Sequence, residues 1–134
     1  MKKLMAIPLV LSVAISVSAE AGNPVEGLLE TYRGEGAAAF DPRAGAELWV
    51  RSFTHAKAPA NRSCASCHTD DPSRAGRHLR TRKLIDPMAP SANPDRLQDV
   101  AEIRKWLKRN CRWTLGRECT AQEKGDLLTF LNSQ

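Results

Sequence analysis

Apolar residues recur at helical spacing in four stretches of the chain. Val25, Leu28, Leu29 and Tyr32 repeat three and four residues apart behind Asn23-Pro24, a cap followed by a first-turn proline, and Gly34 and Gly36 close the run. Asp41-Pro42 starts a second helix, with Ala44, Leu48 and Phe53 along one face and Gly45 and Trp49 beside them. Asp99 followed by Glu102 resembles a capping box, and Val100, Ile103, Trp106 and Leu107 continue as an amphipathic helix. Thr120 with Glu123 is the standard form of that box. It opens a helix with Leu127, Leu128 and Leu131 on one face and Phe130 at its edge. Two stretches lack a period. The polar run from Ala58 to Ser63 contains Pro59 and reads as a loop. The stretch 69–94 is broken by Pro72, Pro87, Pro90 and Pro94, and so long an irregular segment in a small domain wraps around something or carries function. The pattern predicts an all-α domain of four or five short helices with long loops.

The first residues follow another logic. Lys2 and Lys3, an apolar run from Leu4 to Val17 and the small-residue site Val17-Ser18-Ala19 predict a signal peptide over 1–19. One exported, periplasmic domain over 20–134 is left. The chain of 134 residues is 42% apolar, and the leader takes more than its share of that. Beyond it the only valines and isoleucines are Val25, Val50, Ile85, Val100 and Ile103, too few for a β-sandwich or a parallel sheet. No second apolar stretch approaches the length of a bilayer span, so no membrane insertion is expected after cleavage.

Lysine and arginine number 20 against 15 acids, a formal charge of +5. That is too mild to imply nucleic acid. The bases are clustered, however. Arg74, Arg77, Arg80, Arg82 and Lys83 form one group with no acid between Pro72 and Ile85, and Arg104, Lys105, Lys108, Arg109 and Arg112 form another. Each is open to three readings: a solvated face, a docking surface for an acidic partner, or counter-charges for anionic groups of a cofactor.

Export places the four cysteines, Cys64, Cys67, Cys111 and Cys119, in an oxidising compartment. Their number fits two disulfides, or one disulfide plus a two-cysteine attachment. Cys64-Ala65-Ser66-Cys67-His68 has the spacing C-x-x-C-H. Two thiols three residues apart on an incipient helix can each add to one porphyrin vinyl group, and the next residue, His68, is carried beneath the iron as proximal ligand. A thioredoxin-type redox pair would need a preceding strand and a βαβ context. A structural zinc site would need a second ligand pair at finger spacing. A covalently held porphyrin, haem c, also supplies the apolar body that a sparse core lacks. Gly45, with Trp49 beside it, is the small residue at which two helices of such a domain could cross, meeting Phe130 or Leu131.

The opposite side of the iron decides function. Met88 is the one methionine beyond the leader, and His55 and His78 are the other histidines. Ser73-Arg74-Ala75-Gly76, the segment from Pro87 to Arg96, the stretch Trp106 to Cys111, Gly116-Arg117-Glu118-Cys119-Thr120 and Glu123-Lys124 resemble the sphaeroides haem protein family of class I cytochromes c. The likeness spans essentially the whole mature chain. One departure is a longer, more basic stretch near His78 to Lys83.

The resemblance implies the class I cytochrome c fold around one covalently bound haem c. It implies that Asn110 is the distal iron ligand and that Cys111 and Cys119 form a disulfide. It also implies that an electron arrives from a multihaem or membrane cytochrome, and that on reduction Asn110 is released and a diatomic gas (oxygen, nitric oxide or carbon monoxide) enters. Read from the residues alone, Asn110 follows Leu107 and Ile103 on the apolar side of its helix, a position an Asn can also occupy as a C-cap. Two other functions stay open. One is a plain electron carrier with His68 and Met88 as ligands. The other is an oxidoreductase that turns over oxygen with nitric oxide. Trp106 and Trp113 are candidates to pack on the porphyrin.

Overall fold

Residues 22–134 are described in the computed structural model, and the expected signal peptide lies outside them. The first helix, α1, runs Pro24–Gly34; the Asn23 Oδ1 accepts the Val25 N–H at 2.9 Å. α2 runs Pro42–Val50, and Asp41 Oδ1 accepts the Arg43 N–H at 2.8 Å. Both helices start where cap and proline say they should. Two hairpins and a single helical turn follow: β1 (Phe53–His55), β2 (Ala58–Arg62), α3 (Ala65–His68), β3 (Gly76–Arg77) and β4 (Leu84–Ile85). α4 spans Val100–Leu115 and α5 spans Ala121–Asn132. At the start of α5, Thr120 and Glu123 exchange both bonds of the capping box. The described residues are thus mostly helical, and no helix among them is long and apolar enough to cross a membrane.

Two apolar clusters form the core. Val25, Leu28, Leu29 and Tyr32 of α1 meet Ile103 of α4 and Leu128 of α5. Leu48 and Trp49 of α2 meet Leu127, Phe130 and Leu131 of α5 together with Cys111 and Cys119. The expected crossing at Gly45 is present. A Cβ there would sit 2.1 Å from the Asp126 carbonyl oxygen and 2.7 Å from Phe130 Cβ, so only glycine lets α2 and α5 approach this closely. The Trp49 and Phe130 ring centroids are 6.1 Å apart. The buried Asp126 is satisfied at the same crossing, where its Oδ1 accepts the Asp41 N–H at 2.8 Å and Gln122 Nε2 at 2.9 Å.

Three local expectations are corrected. The run 58–63, read as a loop, is mostly strand: β2 pairs antiparallel with β1, Phe53 opposite Arg62 and His55 opposite Ala58, with an irregular register between. Phe53 therefore belongs to β1 and not to α2, which ends at Val50 with Arg51 already extended. On α4, Val100 and Trp106 are exposed, and the inward stripe is Ile103, Leu107, Cys111 and Thr114. Trp106 lies off that stripe and is held on the surface by its own indole, whose Nε1 donates to Glu102 Oε2 at 2.9 Å.

Candidate functional site

The C-x-x-C-H turn is built by a device the apolar pattern does not reveal. Ser63 Oγ accepts the Ser66 N–H at 3.1 Å while Ser66 Oγ accepts the Ser63 N–H at 3.0 Å. This is the logic of a capping box with serine in both roles, and the spacing Ser63-x-x-Ser66 was its signal. The turn then closes through Cys67 N–H and His68 N–H, both donating to the Cys64 carbonyl at 3.2 and 3.1 Å. Thr69, with φ +66°, reverses the chain after His68. The returning β3 strand lies so close that a Cβ on Gly76 would sit 2.1 Å from the Cys67 carbonyl oxygen and 2.8 Å from His68 Cα.

Trp49 is the tryptophan beside this turn. Its ring centroid is 5.4 Å from that of His68, and its Nε1 donates to the Thr69 carbonyl at 2.9 Å. Trp106 and Trp113, the candidates for porphyrin contact in the sequence, have other surroundings. Trp106 is 45% exposed. Trp113 carries the Arg62 guanidinium over its ring at 4.0 Å.

Burial sets the chemistry of the motif. Burial first, and then the Arg96 cation, hold the His68 imidazole down to about 4, so His68 is neutral at physiological pH and able to act as a ligand. His68 Nδ1 is buried with no hydrogen-bond partner among the described residues. Burial also pushes the Cys64 thiol up to about 11. Cys64 and Cys67 are free thiols, not paired with each other. Two unpaired thiols and a neutral histidine with an orphaned buried nitrogen make little sense as a structural staple. They fit a covalently attached haem.

Cys111 and Cys119 are disulfide-bonded, with Cα atoms 5.5 Å apart. Asn110 stands immediately before that bridge. It is half-buried on α4 between exposed Arg109 and buried Cys111. The helix continues to Leu115 and is capped by the left-handed Gly116, so Asn110 is no C-cap. The last turn of α4 is gripped by the first hairpin: the Trp113 carbonyl faces His55 Nε2 at 3.2 Å and Arg62 Nη1 at 3.3 Å. Met88 is half-buried and packs, like Cys64, Ala65 and Leu107, against the core cluster that holds Cys111 and Cys119. The Met88 and Ala89 N–H groups both donate to the Pro72 carbonyl, at 2.8 and 3.0 Å. Arg96 fastens the same loop through the Pro87 and Asp86 carbonyls at 2.8 and 3.0 Å. Sequence reasoning missed Arg96 because its partners are backbone atoms.

A family model described as a domain of unknown function, DUF1924, matches residues 35–131. The chain is 43% identical over 128 residues to the cytochrome c-type protein SHP of Cereibacter sphaeroides, covering 94% of this chain and 97% of that protein. The structure of oxidised SHP, described as an oxygen binding cytochrome c, superposes with a TM-score of 0.74 at 42% identity, over 82% of this chain and 96% of that one. The solution structure of cytochrome c'' from Methylophilus methylotrophus, described in terms of haem-ligand detachment, superposes with a TM-score of 0.72 at 27% identity, over 82% of this chain and 93% of that one. The likeness covers most of the chain and nearly the whole length of these relatives, and the chain belongs to the sphaeroides haem protein family of class I c-type cytochromes, whose cofactor is covalently attached haem c.

Proposed function

We propose that this chain is a periplasmic cytochrome that accepts one electron from another cytochrome and, once reduced, releases Asn110 and admits a diatomic gas. Haem iron, when bound, would supply the redox change and the ligand-binding chemistry. Cys64 and Cys67 would hold the cofactor covalently, and His68, neutral through burial, would be its permanent nitrogen ligand. Asn110 would offer its side-chain amide as the exchangeable ligand. An amide is a neutral, hard, weak donor, better matched to ferric than to ferrous iron, so its hold loosens on reduction.

The observation that carries this reading is the position of Asn110: half-buried, beside the inward stripe of α4, next to the Cys111–Cys119 bridge, and within a helix that continues to Leu115. A cap explains an Asn at a helix end, and none is needed here. Because α4 is tied at Cys111 and at the Trp113 carbonyl, release requires only rotation of the Asn110 side chain. The freed amide N–H can then donate a hydrogen bond to the incoming gas. The oxygen binding described for SHP and the ligand detachment described for cytochrome c'' support the same reading.

Asn110→Ala tests it. The ferric variant should bind added imidazole at least about tenfold more tightly than the wild type, the loss of ~1.4 kcal/mol of competition by the amide. Met88→Leu should leave that affinity unchanged. The opposite pattern, with Met88→Leu opening the ferric site and Asn110→Ala silent, would make the protein a His/Met electron carrier.

A further inference from the structure

The two basic clusters differ once folded. On α4, Lys105 pairs with Glu102, Arg112 pairs with Glu118, and Lys108 lies 3.9 Å from Glu118. Arg109 stacks over Trp106, and of this cluster only Arg104 and Arg109 form no ion pair among the described residues. In the second hairpin no such neutralisation occurs: among the described residues, Arg74, Arg77, Arg80, Arg82 and Lys83 form no ion pair. Residues 73–84 hold five of the 20 cations and none of the 15 acids, and the rest of the chain is balanced, with 15 of each. The whole net charge of the chain therefore resides in this one segment.

The segment is also a made surface. β3 pairs with β4, Gly76 opposite Ile85 and Arg77 opposite Leu84. The turn between them is closed by His78 N–H to the Lys83 carbonyl and Arg82 N–H to the His78 carbonyl, both 2.9 Å. Arg77 Nη1 donates to the Arg82 carbonyl at 2.8 Å, and His78 Nδ1 accepts the Thr81 N–H at 3.0 Å. This preorganised turn exposes Leu79 at 43% and Leu84 at 63%. Both leucines, with Arg77 and Arg82, line an open cleft of about 250 Å³ whose other wall is Ala65, Ser66, Cys67 and Thr69 of the C-x-x-C-H turn and the residue after it.

We propose that the β3–β4 hairpin is the docking surface for an acidic redox protein, which seats an apolar side chain in the cleft beside Cys67 and surrounds it with carboxylates. The inference rests on the reading that the chain accepts electrons, and it names where the donor sits. The donor loses one electron, the iron of this chain gains it, and no atom is transferred. Unpaired cations on one face steer an acidic partner to it. Four of the five are arginines, whose forked guanidinium matches carboxylates two bonds at a time. A concave cleft with two flanking leucines suits a protruding side chain of a protein better than a flat bilayer.

The test is stopped-flow reduction of the haem-loaded ferric protein by flavodoxin hydroquinone, a small acidic electron donor, across a range of ionic strength. Arg80→Glu, Arg82→Glu and Lys83→Glu together leave Arg77 and His78 to hold the turn. They should slow the second-order rate about tenfold or more at low salt and flatten its salt dependence. The glutamine triple should fall between this variant and the wild type. An equal reversal on α4, at Lys105, Lys108 and Arg109, should cost less than about threefold. Equal losses from the two reversals, or none from the hairpin, would overturn the proposal. So would sedimentation of the protein with phosphatidylglycerol vesicles at physiological salt, abolished by the hairpin triple, which would make the surface a lipid-binding one. Failure of the gas-binding reading shows separately, as a ferrous wild type indifferent to carbon monoxide, and leaves these rates untouched.

Discussion

The turn that carries His68 and the helix that carries Asn110 are held in opposite ways. The His68 turn is one helical turn pressed on several sides: Trp49 against its ring, the Gly76 backbone against its carbonyl, and the serine box at its start. Nothing there can shift without a neighbour shifting. α4 is long, its outer face is solvated, and near Asn110 it is held along its inward stripe by packing, one disulfide and two donors on a single carbonyl. A permanent ligand suits the first setting. A ligand that must leave suits the second, where the backbone is fixed and one half-buried side chain can rotate.

Trp49→Ala probes the first setting hardest. Removing a buried indole from the α2–α5 core should cost about 3–5 kcal/mol in urea unfolding. It should also lower the yield of haem-loaded protein, while leaving imidazole affinity of the surviving ferric protein at the wild-type value. Altered imidazole affinity would mean that the two settings are coupled through the core. Replacing Cys111 and Cys119 together by serine should cost about 2–3 kcal/mol for the short loop they close. Unlike the Trp49 change, it should loosen Asn110, seen as tighter imidazole binding to ferric protein. If stability falls and imidazole affinity stays put, the bridge is a staple and not a support for the ligand.

Gly76→Ala is a smaller and more local insult. The new Cβ meets backbone atoms of Cys67 and His68 that cannot yield, so about 1–3 kcal/mol of overpacking is expected, together with poorer haem attachment. The smallest effect is electrostatic. Both Arg117 nitrogens donate to Glu123 at 2.7 Å, and this hydrogen bonding holds the Glu123 carboxyl below its ordinary 4.5. A depressed carboxylate stabilises fully above its ordinary value and loses that contribution as pH falls through the lower folded one. The pair is partly solvated, so the contribution is at most about 1 kcal/mol. Glu123→Gln should therefore lower stability at pH 7 by that small amount and flatten its decline below pH 4.5, measured as urea midpoints.

Most of the frame could be read from local chemistry. Asn23-Pro24, Asp41-Pro42, Asp99 and the Thr120–Glu123 box start the four long helices where expected, because a cap acts on its own turn and needs no tertiary partner. Gly45 was legible for a related reason: a glycine beside a tryptophan on a helix face implies a close neighbour. The hairpin of β1 and β2 was not legible. Its pairing depends on register between Phe53 and Arg62, and the proline within it argues locally for a loop. Trp106 misled because helical spacing fixes an angle and not whether anything packs there. At the site, C-x-x-C-H was plain from spacing alone. Asn110 was not: within one sequence an amide on the apolar side of a helix looks like a cap, and that reading fell only when the helix was seen to run on to Leu115.

The central claim is that reduction frees the position Asn110 holds. Optical spectra of the haem-loaded protein, oxidised and reduced, with and without carbon monoxide, test it most directly. The account predicts a ferric form without the Met–iron charge-transfer band and a ferrous high-spin form whose spectrum shifts on adding carbon monoxide. A low-spin ferrous spectrum unchanged by carbon monoxide would contradict it.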